Sequence, residues 1–196
     1  MQPQASVSRR SAAARRNLVA NAPVGWRHTF WLALLVAASV AFSLGFACAV
    51  PFAAFGTVAA LTLGWRDALL LTGAIWLANQ LVGFTILGYP WTTSTFVWGV
   101  VLGAVAILAT TAARSISERL DGRGRVVVVT AAFAGAFIVY EGGLFAVSAA
   151  WLGGTENYAT AIVTRIFEIN AAACIGLLLL NRVATAAGFA AKPAFT

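Results

Sequence analysis

Six apolar runs, separated by short polar or glycine- and proline-containing segments, dominate the pattern of the chain. The runs cover residues 30–49, 52–63, 68–88, 94–113, 126–152 and 159–181. A transmembrane helix needs about 20 apolar residues, with a range of about 17–25. Five runs reach that length, and the second is shorter. The pattern therefore predicts an all-α integral membrane protein, a six-transmembrane-helix bundle with a short second helix.

The distribution of charge decides whether the short second run also crosses the membrane. If all six runs cross from a cytoplasmic N-terminus, the outer connections near Pro51, at 89–93 and at 153–158 contain no Lys or Arg. If the second run did not cross, the hydrophilic loop predicted at 114–125, with its four arginines, would lie outside. The positive-inside rule therefore predicts six crossings with both termini in the cytoplasm.

The domain organisation follows from the same pattern. Residues 1–28 are predicted to be a basic, disordered cytoplasmic tail, residues 29–183 the transmembrane domain, and residues 184–196 a short cytoplasmic tail. This arrangement is typical of a multi-pass protein of the bacterial inner membrane. The basic tail is expected to contact anionic membrane lipid.

Composition agrees with the membrane class and narrows the chemistry. The chain is 61% hydrophobic and 10% charged, whereas soluble domains are about 25% charged. Its net charge of +7 is divided among short connections, so nucleic acid is not an expected partner. Cys48 and Cys174 lie in apolar runs and are predicted to be small buried hydrophobic residues. Familiar hydrolase, zinc-protease and P-loop motifs are missing from the sequence, so we expect no enzyme, cofactor or metal.

The last apolar run contains three polar residues, Arg165, Glu168 and Asn170. Each charge at bilayer depth costs roughly 2.5–3.5 kcal/mol on insertion scales, so these side chains are expected to face a protein interior or a cavity. Arg165 and Glu168 are three residues apart and share a helix face, which predicts that they pair. Two interpretations stay open: a polar binding site, or a buried ion pair that only joins helices.

Two other runs carry polar residues at a similar predicted depth. Glu141 lies in the fifth run and Asn79 and Gln80 lie in the third, in the middle-to-outer part of the bundle. A cluster at this level, open to the outer side, is what a binding site for imported molecules needs. The residues expected to contact a ligand are Asn79, Gln80, Tyr89, Trp91, Glu141, Arg165, Glu168 and Asn170.

Aromatic residues mark the predicted outer rim. They are Tyr89, Trp91, Trp98, Trp151 and Tyr158. They are typical of an interfacial aromatic belt, and they also suit a stacking surface for a flat ligand. The proline-containing connection at 89–93, with two aromatic rings and two hydroxyls, is a candidate lid or pocket wall.

The first run has a regular stripe of small residues, one in every four. The stripe consists of Ala33, Ala37, Ala41, Gly45 and Ala49. Small residues at this spacing allow helices to approach each other closely in lipid. The stripe is therefore predicted to pack against a partner subunit or against a neighbouring helix of the same bundle.

With these features in hand, residues 28–183 resemble the substrate-binding S-components of energy-coupling factor vitamin transporters. The resemblance rests on the size, the six spans with both ends inside, the short second span, the alanine stripe and the polar, aromatic outer half. It implies that the first helix meets a transmembrane coupling subunit, which works with ATPases. It also implies that the outer loops enclose a vitamin.

Within that family, the stretch at 76–84 leading to Tyr89 and Pro90 is most similar to the small solitary cobalamin-type members. Many of those members carry a cysteine near this outer loop that ligates the corrin cobalt. Positions 79–93 of this chain contain no cysteine, so the resemblance does not extend to a cobalt ligand.

The sequence thus predicts a membrane-embedded protein that binds and takes up a vitamin-like small molecule, such as one related to cobalamin. It would work with an energy-coupling ATPase module or alone. One alternative is a non-transport subunit that stabilises or assembles a larger membrane complex. A second is a small ion-coupled carrier or channel that uses Glu141 and Glu168.

Overall fold

The computed structural model describes residues 25–45 and 50–186. Within these ranges the chain is all-helical. The six helices are α1 (Trp26–Gly45), α2 (Phe52–Thr62), α3 (Trp65–Thr85), α4 (Thr93–Arg119), α5 (Arg125–Val147) and α6 (Thr160–Ala186). A π-helical turn at Ser148–Leu152 extends α5, and a 3-10 turn at Thr155–Tyr158 precedes α6. The predicted number and order of helices are confirmed.

Several sequence expectations fall on residues outside these ranges. They concern the N-terminal tail up to residue 24, Cys48, Ala49 and the C-terminal tail from residue 187.

The described helices divide into two classes by length. Four are long and apolar enough to cross a membrane: Trp65–Thr85, Thr93–Arg119, Arg125–Leu152 and Thr160–Ala186. Trp31–Gly45 and Phe52–Thr62 are shorter apolar helices.

The shortest helix, α2, forms the centre of the bundle. Every residue from Phe52 to Leu61 is buried, and α2 packs against α3, α4, α5 and α6. Its small residues permit this close packing. A Cβ atom added to Gly56 would lie only 2.6 Å from the Thr110 hydroxyl of α4. A helix that is apolar on all sides is stable only when it is surrounded, and the longer helices surround α2.

Both ends of α2 are satisfied by side chains from distant helices. Its 11 residues span about 16 Å, roughly half of a bilayer core, and a buried helix end leaves backbone groups without partners. At the start, the Ala54 N–H donates to Asn170 Oδ1 of α6 at 3.2 Å. At the end, Arg114 Nη1 of α4 donates to the carbonyls of Ala60 and Leu63 at 3.2 and 3.3 Å.

The predicted hydrophilic loop at 114–125 is too long. Helix α4 continues to Arg119, and the connection to α5 covers only residues 120–124. The charged residues continue the helix because Arg114 Nε donates to Glu118 Oε1 at 2.6 Å, one turn away. Hydropathy marks where an apolar run ends, which is not where its helix ends.

Candidate functional site

A cavity of about 320 Å³ lies at the end of the bundle that carries the connection between α5 and α6. We call this the 153–158 end. The cavity is lined by Trp98, Leu152, Gly153, Gly154, Asn157 and Tyr158. The first of these comes from α4, and the others come from the turns that join α5 to α6. The cavity wall is therefore mostly a loop that rests on the helices.

The loop is held in a defined conformation. Gly153 and Gly154 have φ values of +70° and +89°, in the left-handed region that favours glycine. The Ser148 hydroxyl donates to the Gly153 carbonyl at 2.6 Å, and the Gly153 N–H donates back to the Ser148 carbonyl at 2.9 Å. Ser148 also begins the π-helical turn, and π turns within helices frequently occur at functional sites.

Glu141 lies on the face of α5 that meets this loop. Positions 141, 145 and 148 follow one another at helical spacing on one face. The Phe145 ring packs against the Tyr158 ring, with 5.1 Å between centroids, and Ser148 bonds the loop directly. Glu141 is only 9% exposed. Within residues 25–45 and 50–186, no hydrogen bond or ion pair to its carboxylate is formed.

Electrostatics link Glu141 to the cavity wall. Burial raises the pKa of the Tyr158 phenol above its ordinary value, and the charge of Glu141 raises that pKa further. The carboxylate therefore lies within electrostatic reach of a residue that lines the cavity. Glu141 does not itself line the cavity, so its carboxylate acts on the cavity through its charge. A buried carboxylate with unused acceptor sites near an aromatic cavity wall suits the orientation of a small molecule.

Tyr140 connects this region to the core helix. Its side chain is buried, and its ring centroid lies 5.9 Å from that of Phe52, the first residue of α2. The start of α2 carries partial positive charge, because its first N–H groups point out of the helix. The part of α5 around Glu141 therefore lies next to the start of the central helix.

Tyr89 and Trp91 belong to a separate aromatic cluster at the connection between α3 and α4. The Phe84 ring lies 6.0 Å from Tyr89, 4.9 Å from Trp91 and 4.9 Å from Phe96, measured between centroids. Trp91 is 75% exposed. None of these four rings lines the cavity beside Tyr158. The structure brings Tyr89 and Trp91 close to each other but does not bring them to that cavity.

Asn79 and Gln80 join helices. The Asn79 amide Nδ2 donates to Ser43 Oγ of α1 at 3.2 Å, in a buried contact between α1 and α3. Gln80 lies against Gly99 of α4, and its Nε2 atom is buried without a hydrogen-bond partner among the described residues. These contacts account for the position of Asn79 and leave both N–H donors of the Gln80 amide without a partner among the described residues.

The predicted ion pair between Arg165 and Glu168 is wrong. Both residues are exposed, and they form no salt bridge with each other in the described part of the chain. The buried face of α6 passes through Asn170, Ala173, Cys174, Leu177, Asn181 and Ala184. Positions 165 and 168 fall outside that face. Glu168 instead borders a mostly apolar cleft of about 520 Å³ between α1 and α6.

Asn170 lies on the buried face of α6, and both ends of its amide group are in use. Its Oδ1 accepts from Ala54 of α2, and its Nδ2 donates to the Ile166 carbonyl at 3.0 Å. These two bonds give it a structural role at the start of α2.

The small-residue stripe of α1 faces away from the bundle. Ala33, Ala37, Ala41 and Gly45 are exposed, while the opposite face of α1 is buried through Trp31, Leu35, Ser39 and Ser43. The expectation that the stripe packs against a neighbouring helix of the same bundle is therefore wrong for these four positions. The expectation of a partner subunit stays a prediction.

Sequence reasoning placed Trp98 and Tyr158 on an aromatic rim but missed Ser148 and Asn157. The available signal was the Gly153–Gly154 pair, which marks a tight loop shortly before Asn157 and Tyr158.

Among the residues that the structure describes, no group of three His, Cys, Asp or Glu side chains could hold a metal ion. No protein-family model, curated protein or solved structure matches the chain.

Proposed function

We propose that the chain is a membrane-embedded protein that binds and takes up a small, vitamin-like molecule from the outer side of the bacterial inner membrane. The observation that carries the proposal is the buried, unpartnered carboxylate of Glu141, whose charge acts on Tyr158 in the wall of the cavity at the 153–158 end. We take the predicted topology, six crossings with cytoplasmic termini, in which this end lies outside. The cavity then opens toward the compartment from which a nutrient arrives.

The depth of α2 supports binding from that side. Asn170, which bonds the start of α2, lies ten residues after Thr160, or about 15 Å along α6. Arg114, which bonds the end of α2, lies 21 residues after Thr93, or about 32 Å along α4. In a core about 30 Å thick, α2 fills the cytoplasmic half. Its start then faces the outer half, as in transporters with discontinuous helices.

The cavity favours a compact ligand. Small-molecule sites typically have volumes of about 300–1,000 Å³, and this cavity of about 320 Å³ is at the lower end of that range. Trp98 and Tyr158 offer aromatic surfaces, and Glu141 offers a hydrogen-bond acceptor with negative charge. We therefore propose a flat molecule with a hydrogen-bond donor or a positive charge. A cobalamin-like ligand would keep much of its macrocycle outside this cavity.

Native mass spectrometry of the protein purified from its own host tests the proposal. We expect a co-purifying small molecule, and we expect Glu141→Gln to reduce its occupancy about tenfold or more, because a hydrogen bond to a charged group contributes about 1.5–3 kcal/mol. Glu156→Gln is the matched control, since Glu156 is an exposed acidic residue of the connection between α5 and α6 that does not line the cavity. Equal loss of the small molecule in both variants would contradict the assignment of Glu141.

A second function, assembly of a larger membrane complex, is favoured by the outward stripe on α1. An exposed face of small residues suits close packing against another transmembrane helix. In the uptake model this partner is a coupling subunit that works with ATPases. In the assembly model the same purification would yield a partner subunit but no small molecule, whatever residue stands at position 141.

A further inference from the structure

A second cavity, of about 450 Å³, lies at the opposite end of the bundle, around the connection between α4 and α5. We call this the 120–124 end. Much of its surface is apolar and comes from three helices, through Leu61 of α2, Val129 of α5 and Leu178 of α6; Thr62 and Ser117 also line it. This cavity is too far along the helices to be part of the site at Glu141.

The mouth of the cavity is charged. Arg123 and Arg125 line it, and neither guanidinium forms a salt bridge with a residue that the structure describes. Asp121 also lines the cavity, and its Oδ1 accepts from the Gly122 N–H at 3.1 Å. Arg182 lies one helical turn beyond Leu178, and it is exposed. The region around the mouth therefore carries an excess of positive charge.

We propose that this cavity binds an anionic phospholipid. Arg123 and Arg125 hold the phosphate, and part of an acyl chain lies along the surface formed by Leu61, Val129 and Leu178. Guanidinium groups bind phosphate oxygens in a bidentate geometry, and basic pockets between transmembrane helices on the cytoplasmic side suit anionic headgroups. Inorganic phosphate could use the two arginines but would leave the apolar surface uncovered.

The proposal requires the membrane placement given above but does not depend on the ligand bound near Glu141. Binding is measured by native mass spectrometry of the full chain in detergent, with dioleoyl phosphatidylglycerol, dioleoyl phosphatidylcholine or inorganic phosphate added. We expect phosphatidylglycerol to bind most tightly. The double variant Arg123→Gln/Arg125→Gln should bind it about 25-fold more weakly, on the scale of surface arginines at anionic membranes.

Arg119→Gln is the charge control, because Arg119 is an exposed arginine of the same region that does not line the cavity. It should retain wild-type affinity. The proposal is overturned if the double variant binds phosphatidylglycerol like the wild type. It is also overturned if Arg119→Gln weakens binding as much as the double variant, or if phosphatidylcholine binds equally well.

A second pair of variants tests the acyl-chain part of the site. Val129→Trp fills the apolar interior, whereas Val126→Trp adds the same ring at a position that is 79% exposed. We expect only Val129→Trp to displace phosphatidylglycerol, with both variants retaining the helical circular dichroism of the wild type. If inorganic phosphate competes with phosphatidylglycerol at equal concentration, the lipid assignment fails and the site is one for a free anion.

Discussion

Arg114 offers the sharpest test of how the central helix is held. Its guanidinium donates to two carbonyl groups at the end of α2, those of Ala60 and Leu63. Replacing it with leucine leaves both acceptors without this donor and removes a positive charge from the negative end of the helix dipole. The change should therefore destabilise the whole bundle, because α2 packs against four other helices.

The size of the effect can be worked from these contacts. A hydrogen bond to a charged group contributes about 1.5–3 kcal/mol, and the Arg114 side chain is 24% exposed, which places both bonds near the lower limit. Two such bonds give a loss of about 3 kcal/mol for Arg114→Leu. At about 2–4 °C per kcal/mol for a chain of this size, Tm should fall by roughly 6–12 °C.

Thermal unfolding in detergent, followed by circular dichroism, measures this loss. Glu118→Gln is the matched control, since it removes the ion pair with Arg114 but keeps the bonds to α2. An i,i+4 pair on a helix surface contributes about 0.3–0.5 kcal/mol, so this control should shift Tm by only about 1–2 °C. Arg114→Lys should fall between the two. A Tm of Arg114→Leu equal to that of Glu118→Gln would refute the capping role.

Four further predictions follow from the same structure. Arg165→Leu and Glu168→Leu should change the free energy of unfolding additively, within about 0.5 kcal/mol, because the two side chains do not pair; a double variant that departs from the sum of the two single changes by more than that would contradict this. Ala37→Leu should keep the Tm of the wild type but reduce co-purification of a partner subunit, and unchanged co-purification would show that the stripe contacts only lipid. The folded pKa of Tyr158 is raised above its ordinary value of 10.0, so its stabilising contribution is complete below pH 10 and is lost as pH rises further. Between pH 9 and pH 11 the Tm of Tyr158→Phe should therefore fall less than the Tm of the wild type. An equal fall in both would contradict the raised pKa of Tyr158. Leu120→Cys in a cysteine-free background should resist an impermeant thiol reagent added from outside, and labelling there would contradict the topology.

The sequence was sufficient for the helices but not for their ends. The short run at 52–63 corresponds closely to α2, because Pro51 and Gly64 limit it on both sides. A helix of this length cannot span a bilayer alone, and the structure surrounds α2 with its neighbours. The extension of α4 beyond residue 113 was missed. Arginine, serine and glutamate are tolerated in a helix, but they lower the hydropathy, so a hydropathy pattern does not show that the helix continues through them.

The candidate site was harder to predict, because hydropathy does not reveal which way a helix is rotated. Arg165 and Asn170 both stand out as polar residues in an apolar run, yet only Asn170 lies on the buried face. The helical spacing of Asn170, Asn181 and the apolar positions between them indicates which face of α6 is buried. Conversely, Glu141 was predicted to lie within the bundle, and the structure buries it, because a single acidic residue in a long apolar helix has few other places to lie.

The bond between Ala54 and Asn170 also constrains how the chain is made. The two residues are 116 positions apart, so α2 leaves the ribosome long before the amide that completes its first turn. Domains form in the order of synthesis where they can, and contacts of large sequence separation form slowly. The first turn of α2 therefore lacks this partner until the last helix has been synthesised. A nascent chain that ends before α6 should leave this segment open to quality-control proteases.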